Sequence, residues 1–112
     1  MSPATLVQTQ LETYNDRDLA GFAATYHDNV ALYNFGEDLP FLTGIMALKS
    51  VYGKIFDNSP NLHSKLLQRI VFDNKAIDHE LITGRLGVAS MELVAIYEVE
   101  EGLIRKVTFL RK

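Results

Sequence analysis

The hydrophobic spacing of this 112-residue chain changes character once, at Leu62, and that change restricts the fold more than any other feature. Upstream, apolar residues recur at helical intervals; downstream they alternate. Val7, Leu11 and Tyr14, with Leu6 beside them, form one stripe behind Ser2-Pro3, an N-cap followed by proline at the first helical position. Asn15-Asp16-Arg17-Asp18 interrupts the stripe, and Asp18 caps a second, shorter helix with Leu19, Phe22, Ala23 and Tyr26 on one face. His27-Asp28-Asn29 reads as a turn, and Val30 to Phe35 as a short strand followed by a loop with Gly36 and Pro40. Thr43 is the expected N-cap of a third helix carrying Leu48, Val51, Tyr52, Ile55 and Phe56, which Asp57-Asn58-Ser59-Pro60 ends.

Beyond that stop the chain reads as strands: Leu62 to Phe72, Ala76 to Arg85, Met91 to Glu100 and Leu103 to Leu110. Asp73-Asn74 and Glu101-Gly102 are the turns, and Leu86 to Ser90 is a longer connection. Helix, helix, strand, helix and a four-strand meander make an α+β protein, with three helices packed on a curved, mostly antiparallel sheet. Residues 1–112 are expected to form one domain, since about 100–200 residues is the usual domain size.

Composition removes whole classes of function. With no cysteine there is no disulfide, thiolate metal site or cysteine nucleophile. A net charge of −3, from 11 basic and 14 acidic residues, argues against nucleic acid as a partner. The apolar runs are far too short to span a membrane. Lack of a basic and apolar leader, with the lack of cysteine, points to the cytoplasm. His63 and His79 lack zinc-site spacing, the seven glycines form no phosphate or dinucleotide loop, and Ser64 and Ser90 lack a nucleophile elbow, so no metal or cofactor is expected. The basic residues Arg105, Lys106, Arg111 and Lys112 read as a solvated strand edge and tail.

Alternation along the first hairpin gathers ionisable residues on one face. A two-residue turn at Asp73-Asn74 sets Arg69 opposite Asp78; one at Asn74-Lys75 sets it opposite Glu80. Either way His63, Arg69, Asp78 and Glu80 share a face with Leu67, Val71 and Ile82. A carboxylate beside an arginine stays ionised, whereas a second one nearby is raised toward neutral pH and can act as acid or base, with His63 as another proton carrier. The bland reading of the same set is an ion pair that pins the hairpin register. The opposite face carries Leu66, Gln68, Ile70, Phe72, Ile77, His79, Leu81 and Thr83. Helices cover one face only, so the other is expected to form a homodimer interface. In the last hairpin Glu98 is expected opposite Arg105.

The stretch Tyr14 to Phe22, followed by Tyr26-His27-Asp28-Asn29-Val30, resembles the first two helices of the cone-shaped nuclear transport factor 2-like superfamily. Gly44 entering the third helix, Pro60-Asn61-Leu62-His63, Ile77-Asp78-His79-Glu80 and Thr83-Gly84 are similar to its SnoaL-like, ketosteroid-isomerase-like subgroup. The resemblance implies a cone holding a small apolar or amphipathic molecule, of polyketide or steroid type, and cofactor-free acid–base chemistry: isomerisation, dehydration, cyclisation or hydrolysis. The alternative it implies is a non-catalytic ligand-binding or scaffolding module. Ketosteroid isomerase uses a tyrosine, a carboxylate base and a protonated aspartate, and Gln10, Asn34 and Ala95 fall at those positions, so that reaction is not expected by that mechanism. From the same resemblance the ionisable face points into the cone. Tyr14, Asn34 and Tyr97 (beside the missing aspartate) are candidate substrate contacts there.

Overall fold

A computed structural model describes all residues, 1–112. Helices α1 (Pro3–Asn15) and α2 (Leu19–Ala23) precede strand β1 (Tyr26–Asn34). A two-residue strand β2 (Leu42–Thr43) leads into helix α3 (Ile45–Asn58), and the chain ends in β3 (His63–Phe72), β4 (Lys75–Thr83), β5 (Met91–Glu100) and β6 (Leu103–Arg111). The strands form one sheet in the order β2-β1-β6-β5-β4-β3, antiparallel except for the β1–β6 pair. The expected α+β architecture, three helices on a mostly antiparallel sheet, is the one found.

Local chemistry sets most of the boundaries. The Ser2 hydroxyl accepts from the Thr5 N–H at 3.2 Å, and the Asp18 carboxylate accepts from the Gly21 N–H at 3.0 Å, so both predicted caps form. The end of α1 is tied to the start of β3: Asn15 accepts from the Ser64 N–H at 2.7 Å and donates to the Ser64 carbonyl at 3.0 Å. Behind these ties Tyr14, Phe22, Tyr52 and Phe56 pack ring against ring, with centroids 4.9 to 6.4 Å apart, and fasten the helices to one another. Asp73 takes a positive φ in the first turn, and Phe72 pairs with Lys75, the register that sets Arg69 opposite Asp78.

Four local expectations are corrected. Helix α2 stops at Ala23, and Tyr26 to Asn29 belong to β1. The turn-like character of His27-Asp28-Asn29 survives as a bulge: the β1–β6 register shifts between Tyr26 and Ala31, and the His27 ring accepts from the Asn29 N–H at 3.0 Å. Thr43 pairs in β2, and Gly44 caps α3 at a φ of 87°, which a side chain would resist. Glu98 lies opposite Lys106 because the register shifts between Glu98 and Val99, and Arg105 instead donates to the Asn29 carbonyl.

The fourth correction bears on the site. The β3–β4 register shifts between Leu66 and Gln68, so Leu67 is an unpaired bulge residue. A one-residue bulge exchanges faces upstream of it. Ser64 and Leu66 therefore turn toward the helices, whereas His63 is exposed on the other side. The outer face of the sheet has no covering element; across it Ile70, Ile77 and Ile96 are consecutive partners, with Ile70 and Phe72 well exposed.

Candidate functional site

Asp78 and Glu80 point from β4 into the space between sheet and helices, and neither is open to solvent. Their strand neighbours on that face are Ala95 and Leu93 of β5, both buried, with Tyr97 next along the strand. Arg69 closes the ion pair in two-pronged geometry: its Nε donates to one Asp78 oxygen at 2.7 Å and its Nη2 to the other at 2.8 Å. Nη1 donates to Gln8 of α1 at 2.9 Å. These contacts hold Arg69 fully charged, the hydrogen bonds to Asp78 raising its pKa against the opposing effect of burial.

Glu80 has no arginine of its own. The Ser64 hydroxyl donates to its Oε1 at 2.6 Å, and the Tyr97 hydroxyl reaches its Oε2 at 3.5 Å, the long limit of a hydrogen bond. Burial pushes the Glu80 pKa up from 4.5 to about 7; the Ser64 hydrogen bond opposes this, Asp78 adds to it, and Arg69 and Tyr97 pull it down. Burial thus sets Glu80 apart from Asp78, whose two oxygens are taken by Arg69.

A cavity of about 70 Å³ opens above Glu80, lined chiefly by apolar and aromatic side chains. Four phenols border it: Tyr14 from α1, Tyr26 from β1, Tyr52 from α3 and Tyr97 from β5. Burial pushes Tyr52 up to about 12 and raises Tyr14, Tyr26 and Tyr97 as well, so all four are neutral hydrogen-bond donors. Gln10 donates to the Tyr26 hydroxyl at 3.1 Å. No buried side-chain polar atom lacks a partner, so the Tyr14 and Tyr52 hydroxyls, which bond to nothing in the protein, are open to the cavity. An acid–base carboxyl facing neutral phenols can move a proton at one atom of a small molecule while a phenol binds its oxygen.

The structure brings Glu80, Tyr14 and Tyr97 to the cavity wall, sets the Arg69–Asp78 pair beside Glu80 without lining the cavity, and leaves His63 and Asn34 apart. His63 is on the far side of the β3 bulge, with Ser64 in its place. Asn34 does not border the cavity; its amide oxygen accepts from Arg111, which does. Arg85, which no pattern in the sequence marks, and Arg111, expected only as part of a solvated strand edge and tail, are the cavity's two cationic residues. A second bulge hides Arg111: it pairs with Leu93 and so shares the inner face. No three His, Asp or Glu side chains cluster as a metal site would require, and no helix is long and apolar enough to cross a membrane.

This arrangement, helices over a curved sheet with a cavity between them, defines the nuclear transport factor 2-like cone. Residues 7–107 match the SnoaL-like domain, and the chain belongs to that family. No curated protein matches it in sequence. Its fold is similar to that of an uncharacterised cystatin-fold protein from Novosphingobium aromaticivorans (TM-score 0.90, 20% identity, 99% of each chain covered). It is also similar to a provisionally assigned ketosteroid isomerase from Kribbella flavida (TM-score 0.80, 20% identity, 96% of this chain and 76% of that one). A provisionally assigned polyketide cyclase from Sinorhizobium meliloti has a TM-score of 0.77 at 14% identity, covering 94% of this chain and 93% of that one. At such identities the likeness is one of fold.

Proposed function

We propose that the chain is a cofactor-free acid–base enzyme acting on a small carbonyl or hydroxyl compound, with Glu80 as the proton carrier. The observation that carries this reading is a buried carboxyl, Glu80, on the wall of a cavity bordered by unpartnered phenols, where burial pushes its pKa up to about 7. Glu80 takes a proton from a carbon or oxygen of the substrate, and a phenol of Tyr14 or Tyr52 donates to the oxygen on which charge develops. Arg69 and Asp78 act as positioning residues that hold the β4 side of the cavity. The matching reaction classes are isomerisation, dehydration, cyclisation and hydrolysis.

The size of the cavity limits the substrate. Pockets for drug-sized ligands run to about 300–1,000 Å³, and about 70 Å³ holds only a few heavy atoms. That favours a substrate much smaller than a steroid, and it also supports a second reading, a non-catalytic module whose cone is filled by its own side chains. Hydrogen exchange separates the two. In D2O the wild type should exchange the α-hydrogens of acetone and butanone faster than buffer, with a rate rising through about pH 7 as Glu80 becomes a base; Glu80→Gln should return to background. Equal rates for the two proteins would leave the non-catalytic reading.

The outer sheet face supports a second copy of the chain as partner. The row Ile70, Ile77, Ile96 is apolar and uncovered, and a two-fold pairing of identical faces is the commonest way to close such a surface.

A further inference from the structure

We propose that the cavity is specific for small organic anions, with Arg85 and Arg111 binding a carboxylate while the ligand's short apolar body lies among the tyrosine rings. This rests on the acid–base reading of the same cavity and adds the class of substrate. Three of the cavity's residues carry charge, Glu80, Arg85 and Arg111. Arg69, by contrast, is matched to its own carboxylate. Neither Arg85 nor Arg111 takes part in any of the five ion pairs of the protein.

The Arg111 guanidinium is held by neutral groups, and the backbone on either side of Arg85 is anchored. Arg111 lies over the rings of Phe109 and Phe41, 4.9 and 5.6 Å from their centroids, and donates to the Asn34 amide oxygen. Arg85 sits in the β4–β5 connection, which is anchored on either side of it. Gly84 passes so close to the Asn61 carbonyl that a Cβ would stand 2.0 Å from that oxygen, and the Leu86 N–H donates to the Ser59 hydroxyl at 3.1 Å. Arg111 and Arg85 both pull the Tyr52 pKa down against the larger effect of burial, which sets both positive charges near that phenol. Two guanidiniums without an ion-pair partner, the exposed Arg111 and the half-buried Arg85, beside one phenol suit a carboxylate, which accepts from a planar fork through two oxygens. The volume adds a size limit: a cavity of about 150 Å³ accepts benzene, so about 70 Å³ selects acids of a few carbons.

Propionate and its neutral isostere propionamide test this. They are titrated into isotope-labelled protein, and amide and side-chain NMR shifts are followed. Propionate should bind at least about tenfold more tightly, and Arg85→Gln and Arg111→Gln should each weaken propionate by about ten- to hundredfold, the size of one lost charge-assisted hydrogen bond. Propionamide should change by less than about twofold, and Arg85→Lys should keep part of the preference. Equal binding of the two probes, binding of neither, or a preference that survives both glutamine variants would overturn the proposal. Ketone exchange by the wild type is read separately: if it occurs without carboxylate preference, the anion site falls and the acid–base reading stands. Carboxylate preference without ketone exchange supports the anion site and removes the chemistry.

Discussion

Replacing Arg69 by methionine keeps most of the apolar stem and removes the charge. The Asp78 side chain is 1% exposed, and both of its oxygens accept from Arg69 alone. Arg69→Met therefore strands a carboxylate in the interior, which costs about 3–5 kcal/mol. The Arg69 side chain is itself 14% exposed, so some water reaches the stranded charge and the lower half of that range is expected. With a urea slope on the order of 1.5 kcal/mol/M, a loss of about 3 kcal/mol moves the unfolding midpoint down by about 2 M. Arg69→Met/Asp78→Leu removes both charges and should recover most of the loss, to within about 1–2 kcal/mol of wild type. Urea unfolding followed by tyrosine fluorescence and circular dichroism reads all three proteins. An Arg69→Met midpoint equal to that of wild type, or a double variant as weak as the single one, would refute the reasoning.

Glu80→Gln should change how stability depends on pH. A carboxyl raised from 4.5 to about 7 in the folded protein favours the native state at low pH and loses that advantage between those values, so wild type should lose about 3 kcal/mol from pH 4.5 to 7.5 that the variant keeps; parallel pH profiles would contradict this. Light scattering on the eluting protein should give twice 12.6 kDa, and Ile77→Arg in the centre of the outer apolar row should give the single mass; a wild-type monomer at micromolar concentration would rule out the dimer. A Δ5-3-ketosteroid should not be isomerised, because Gln10, Asn34 and Ala95 supply none of the expected groups and the cavity is small; growth of conjugated-enone absorbance at about 10 s⁻¹, the enzyme median, would show otherwise.

The sequence made the fold legible wherever local signals agree. Ser2-Pro3, Asp18 and the Asp73-Asn74 turn each act within a few residues, and the switch from helical spacing to alternation divides the chain where the structure does. The Arg69–Asp78–Glu80 face was legible too, because those residues lie between the bulge and the turn, where parity holds. Parity failed beyond each bulge. The extra residue at Leu67 exchanged His63 for Ser64, and the shift after Glu98 turned Arg111 inward. Neither bulge contains a glycine to mark it. Arg85 was hidden for a different reason, since a connection between strands carries no periodicity and its course is set by a distant contact with Asn61.

The most direct test of Glu80 as the proton carrier is its own titration, read from the side-chain carboxyl 13C shift of the wild-type protein between pH 3 and 9. A midpoint near pH 7 is expected, moving higher in Ser64→Ala, which removes the hydrogen bond that favours the ionised form. A midpoint near 4.5, unaltered in Ser64→Ala, would mean that Glu80 is solvated and ionised at neutral pH, and the cavity would have no proton carrier.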